Sequence, residues 1–154
     1  MIIMGIDPGA SGGLASMKIG VGTCAWSFKN ITTLEQWRLF QACWNSSIAD
    51  SMFDIKAYIE HVHSMPRDGV KSAFSFGRSY GNLEAFLVAA GIPFERVTPT
   101  VWQKEFGLIK KKGETKTQKK NRHKALAQEL FPDIKLTHAI ADALLIAEYG
   151  RRQQ

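Results

Sequence analysis

MIIMGIDPGASGG, from Met1 to Gly13, is apolar through its first half, then meets an acid, a proline and a run of small residues. A short apolar run closed by Pro8-Gly9 predicts a buried strand over residues 1–7. Residues 12–18 and 22–28 predict two more strands, turning at Gly20 and Gly22. Thr32 and Glu35 make a capping box, so a helix should start near Thr33. Leu34, Trp37, Phe40, Cys43 or Trp44, and Ile48 mark its buried stripe. FDIKAYIE, residues 53–60, alternates into a fourth strand that ends on a charge, and a polar loop with Pro66 and Gly69 follows. Residues 71–90 predict a long helix closed by Gly91 at its C′ position, and residues 92–97 a short strand. Thr98 and Pro99 open a short helix that stops near Gly107. A basic loop leads into a helix reaching about Phe131-Pro132, and a last helix runs from about Thr137 to Gly150. The order βββ-α-β-α-β-α-α-α is a hairpin sheet followed by α/β alternation. It predicts an α/β fold, a mixed five-stranded sheet with helices on both faces. No repeat, low-complexity tract or linker divides the chain, so residues 1–154 are expected to form a single domain.

Composition sets the class of partner. The chain has 154 residues, 45% of them hydrophobic, enough to bury a core. No run approaches the 18 apolar residues of a membrane span. The opening MIIMGIDPG has no basic leader region, and the two cysteines, Cys24 and Cys43, form no CxxC pair. Both are expected as buried thiols in a reducing, cytoplasmic compartment. The net charge of +6 is not spread evenly. Nine basic residues lie between Lys104 and Lys124, among them Lys110, Lys111, Lys112, Lys116, Lys119, Lys120 and Arg122, against only Glu105 and Glu114. That one segment carries the whole excess and leaves the rest near neutral, as expected of a surface that binds a polyanion such as DNA.

Three acids stand where a solvated acid should not. Asp7 ends the first strand, Glu60 ends the fourth after Ala57-Tyr58-Ile59, and Asp142 lies within HAIADALLIA. A carboxylate among apolar neighbours is costly unless paired or bound to a cation. Strand ends at one sheet edge bring side chains together, and Ala139, Ala141 and Ala143 would let the last helix approach that edge. His138 and Asp142, four apart, share a helix face. Asp7, Glu60 and Asp142 therefore form a candidate site for a hard divalent cation, with His138 as a nitrogen ligand.

The residues carry a resemblance. GIDPGASGG resembles the first motif of RuvC-type Holliday-junction resolvases, and AYIEHV their second acidic motif. VTPTVWQKEFG, KALAQELFP and HAIADALLIAEYG are similar to later segments of phage and bacterial members, over nearly the whole chain. The short, single-domain form resembles the phage type. The resemblance implies a ribonuclease-H-like fold, a homodimer, and paired nicking of four-way DNA junctions with magnesium or manganese. It further implies Asp7, Glu60 and Asp142 as catalytic acids and metal ligands, with His138 at the fourth ligand position. In the commonest bacterial pattern that ligand lies three residues before the final Asp, where this chain has Ala139. Lys120 falls where the family often has a phosphate-steadying Lys. The loop after Glu60, with His61, His63 and Met65, falls where members carry a side chain that wedges into the junction. Arg78 joins Lys110, Lys111, Lys112, Lys116, Lys119, Arg122 and His63 as a DNA-contact candidate. Three other functions share these features. The GID-PG opening also resembles the first phosphate loop of actin-like ATPases, but those need two lobes, and no GxxxxGK[ST] loop is present, so no nucleotide cofactor is expected. A non-catalytic DNA-binding module and a broader branched-DNA or flap nuclease remain as alternatives.

Overall fold

The computed structural model describes residues 1–49, 54–63 and 69–154. Ten elements follow the predicted order: β1 (Ile2–Asp7), β2 (Gly13–Lys18), β3 (Gly22–Ser27), α1 (Thr33–Ala49), β4 (Ile55–Glu60), α2 (Val70–Ala89), β5 (Phe94–Val97), α3 (Pro99–Glu105), α4 (Lys116–Leu130) and α5 (His138–Arg152). The strands form one sheet in the order β3-β2-β1-β4-β5. β1, β2 and β3 are antiparallel neighbours, whereas β4 and β5 run parallel to β1. This is the expected mixed sheet, and β1 lies at its centre because nearly every side chain it carries is apolar.

Each face of the sheet supports its own core. Alternation along β1 sends Ile2, Met4 and Ile6 to one side, where they meet Phe40 and Cys43 of α1 and Leu83 and Leu87 of α2. Ile3 points to the other side, into a core with Trp102 of α3, Ala127 of α4 and Ile140, Leu144 and Ala147 of α5. α5 is seated unusually close. A Cβ on Gly5 would collide with the backbone of Ala143 and Ala147, and one on Gly13 would come within 2.7 Å of the Ala139 carbonyl. Small residues on both partners let helix and sheet touch through their main chains.

Helix ends follow local chemistry. Thr32 N–H donates to Glu35 Oε2 at 2.6 Å and Glu35 N–H to Thr32 Oγ1 at 3.2 Å, the reciprocal box that starts α1. Gly91 takes φ +64°, with its N–H on the Val88 carbonyl and the Ile92 N–H on the Leu87 carbonyl. This left-handed closure ends α2. A second capping box, Thr115 with Gln118, starts α4 and was not anticipated. Two burial expectations are corrected. Leu34 is 56% exposed, because α1 turns Gln36, Phe40 and Cys43 inward instead. Cys24 is exposed on the edge strand β3, so only Cys43 is a buried thiol. The side chain of Ile48, the start of the predicted fourth strand at Phe53, and Met65 and Pro66 lie outside the described residues.

Candidate active site

Strand period and register bring two of the acids together. β1 and β4 pair in parallel up to Ile6 opposite Ile59, so Asp7 and Glu60 end adjacent strands at the same edge. Both follow a residue that points into the α1–α2 core, so both face the α5 side. In open α/β sheets, ligands gather at the carboxyl ends of strands where the connections diverge. Here that point lies between β1, which continues into the antiparallel hairpin, and β4, which is reached through α1. The third acid, Asp142, comes from the first turns of α5, one residue before the Ala143 that packs on Gly5.

A cleft of about 380 Å³ opens over this edge, lined by Asp7, Asp142, His138 and Lys120 together with Ser11, Ser27 and Lys29. Burial, then the Glu60 and Asp142 charges, push the Asp7 carboxyl well above its ordinary range, and Lys120 pulls the other way. Burial likewise pushes Glu60 up to about 7; the Trp102 hydrogen bond opposes this and Asp142 adds to it. The charges of Glu60 and Asp142 act on Asp7, and that of Asp142 on Glu60, so the three acids lie within electrostatic reach of one another. Among the described residues, no three His, Cys, Asp or Glu side chains close to the spacing that would already hold an ion. The chemistry of the donors nonetheless fits a divalent cation. Acids kept from water and near one another become ionised ligands when a bound cation offsets the cost of their burial and repulsion.

The remaining predicted residues divide by position. His138 is exposed at the start of α5, with its Nε2 2.9 Å from Asn121 Oδ1, so Nδ1 is the nitrogen left to face the cleft. Lys110, Lys111, Lys112 and Lys116 are exposed on the loop and first turn of α4. Lys119 is half-buried and donates to Gln103 Oε1 at 2.8 Å. Arg122 is turned inward. It donates to both Glu114 oxygens at 2.6 and 3.0 Å and to the carbonyls of Gly107, Leu108 and Ile109, which makes it the clamp of the basic loop. Arg78 is exposed on α2, beside a separate polar cleft with Asn30, Ser75 and Asn82. His63 is exposed and stacks edge-on against His61, ring centroids 4.3 Å apart.

The acids also have neighbours that sequence reasoning missed. Trp102 donates its indole N–H to Glu60 Oε1 at 2.8 Å, and His123 Nδ1 lies 2.7 Å from Asp142 Oδ1. The available signal for His123 was its spacing of four from Ala127, which puts both on the inward face of α4. Lys29 gave no signal, since the turn after β3 reads as ordinary surface, and Ser11 in the β1–β2 turn and Ser27 at the end of β3 read as ordinary turn and strand-end residues.

No protein-family model matches the sequence, and the curated proteins contain no significant match. Solved structures do match. Against the structure titled T. thermophilus RuvC in complex with Holliday junction substrate, the TM-score is 0.62 at 15% identity, covering 99% of this chain and 96% of that one. Against Thermus thermophilus RuvC, the TM-score is 0.56 at 16% identity with the same coverage. End to end, then, this chain has the ribonuclease-H-like fold of RuvC, a mixed five-stranded sheet with helices on both faces.

Proposed function

We propose that this protein is a divalent-metal-dependent endodeoxyribonuclease that resolves branched DNA, four-way junctions above all, as a homodimer. One observation carries the reading: Asp7 of β1 and Asp142 of α5 line one cleft together with His138 and Lys120, and Glu60 of β4 lies near enough for its charge to act on Asp7. The RuvC likeness, one structure of which holds a Holliday junction, supports the same substrate class.

Asp7, Glu60 and Asp142 would hold the ions, magnesium by preference for oxygen ligands, with manganese tolerated by the imidazole of His138. Metal ions at such a site supply activation of water and stabilisation of the leaving oxygen, giving 5′-phosphate and 3′-hydroxyl ends. Lys120 places an ammonium beside Asp7, where it can steady a phosphate. Lys110, Lys111, Lys112 and Lys116 offer cations to the DNA backbone, which gives affinity without sequence choice. His63, exposed three residues after Glu60, offers a flat ring suited to stacking on an unpaired base.

The test is cleavage of a synthetic four-way junction, a flap, a Y-shape and a linear duplex, with and without magnesium. Junction cutting should require metal and exceed the others. Asp7→Asn and Asp142→Asn should abolish it, while junction affinity stays within a few-fold. Full-rate cleavage by either variant would overturn the metal-site assignment. Equal cutting of flap and junction would mark a broader branched-DNA nuclease, and metal-independent binding without cutting a non-catalytic module.

A further inference from the structure

Two buried rings stand directly behind the acids. Trp102 of α3 is fully buried, and the hydrogen its indole lends to Glu60 is that side chain's sole polar function. His123 of α4 is 3% exposed, with Nδ1 against Asp142. The two rings meet edge to face, centroids 5.4 Å apart and planes at 73°. An ionised carboxylate can only accept, so Nδ1 is the nitrogen that donates. That Nε2 is buried and has no hydrogen-bond partner among the described residues. A residue serving only the core would be apolar here, since a buried nitrogen without a partner brings a desolvation cost and no bond in return. The orientation therefore serves Asp142. Helices α3 and α4 thus each send one ring to one acid, and the rings lean on each other.

We propose that Trp102 and His123 are positioning residues that fix the orientation of Glu60 and Asp142 for a divalent cation, and that they act as a unit through their ring contact. The inference rests on the metal-site reading above. Neither ring touches substrate, so their loss should act on metal affinity rather than on DNA affinity. Outer-shell partners of metal-binding side chains typically change affinity by roughly 10- to 100-fold when removed.

The experiment measures manganese uptake directly, by the electron-spin-resonance signal of free Mn²⁺ over DNA-free protein. It is paired with a metal titration of junction cleavage and a thermal melt in chelator. The variants are Trp102→Phe, His123→Phe and His123→Asn, the last able to present an amide N–H near the Nδ1 position. Trp102→Phe and His123→Phe should raise the manganese midpoint by about 10-fold or more. Cleavage should recover at saturating metal, and junction binding in chelator should stay within about two-fold. His123→Asn should regain most of the midpoint, and the double Phe variant should lose less than the product of the single losses. If His123→Phe fails to fold, Trp102→Phe and His123→Asn decide the matter. A Trp102→Phe midpoint within two-fold of wild type overturns the proposal, as does an Asn variant whose midpoint shifts more than that of Trp102→Phe. Wild-type protein that takes up no manganese overturns the metal site itself and this inference with it. Uptake by wild type and folded variants alike overturns this inference alone.

Discussion

Glu60 shows what the cleft does to a single carboxyl. Its ordinary value is 4.5, and burial carries it to about 7 in the folded protein. The folded state therefore keeps a proton that the unfolded state gives up, and ionisation works against folding. This stability is fully present below about pH 4.5 and is lost as pH rises toward 7, with Asp7 shifted in the same direction. Metal-free protein should thus melt at a lower temperature at pH 8 than at pH 5, and Glu60→Gln should shrink that difference; scanning fluorimetry in chelator measures both. A slope unchanged by the substitution would mean that Glu60 ionises freely. Magnesium should raise the melting temperature more at pH 8 than at pH 5, because the ionised acids bind it and the unfolded chain does not. The acids were legible in the sequence because a charge inside an apolar run contradicts its surroundings. Trp102 and His123 were not, because a tryptophan in a short helix reads as core and a histidine in a lysine-rich run reads as solvated surface. Only the fold brings residues 60 and 102, or 123 and 142, face to face.

Helix α4 and the loop before it combine two roles that the charge pattern merged. Lys110, Lys111 and Lys112 face solvent, whereas Arg122 is held by Glu114 and three carbonyls. Replacing the three lysines with Gln should weaken binding to every DNA shape alike and flatten the salt dependence by roughly 0.9 in log–log slope per lost phosphate contact. Unchanged affinity and slope would show the run to be merely solvated. Arg122→Gln should instead free the loop while leaving most of the salt slope. Faster tryptic cutting at Lys110–Lys112, with affinity nearly kept, would show this, and a full loss of one phosphate contact would argue that Arg122 reaches DNA. Counting charges finds the segment but not this division, since a guanidinium has the same charge whether it faces a phosphate or a glutamate. Element boundaries were more legible: Thr32–Glu35, Gly91 and Pro99 act through neighbours a few residues away. The Thr115–Gln118 box was missed because it opens onto lysines rather than an apolar run.

At the scale of the whole molecule, one face of α2 is left uncovered among the described residues. Leu83 and Leu87 of α2 seat in the core, yet Phe74 is 73% exposed, Val70 88% and Val88 69%. Paired nicks across a two-fold junction would need two sites related by symmetry, and on the proposed function we assign this face of α2 to bringing two copies together. Phe74→Glu should turn a dimer in sedimentation velocity into a monomer at micromolar concentration and uncouple the two nicks. A wild-type monomer that still makes paired cuts would contradict it. The fold itself was largely legible, because a buried strand ending in Pro-Gly, a hairpin and then α/β alternation leave few topologies. The seating of α5 was legible only as a stripe of alanines, since Gly5 and Gly13 acquire their meaning from the helix that lands on them. That seating also sets a clock. Asp7 belongs to β1 and Asp142 to α5, so a chain emerging from the ribosome holds an incomplete set of acids until residue 142 has been made and α5 has docked. On the proposed reading, a copy that stops short of residue 138 keeps its lysines for DNA but lacks an acid needed to cut it, so binding comes earlier in synthesis than cleavage.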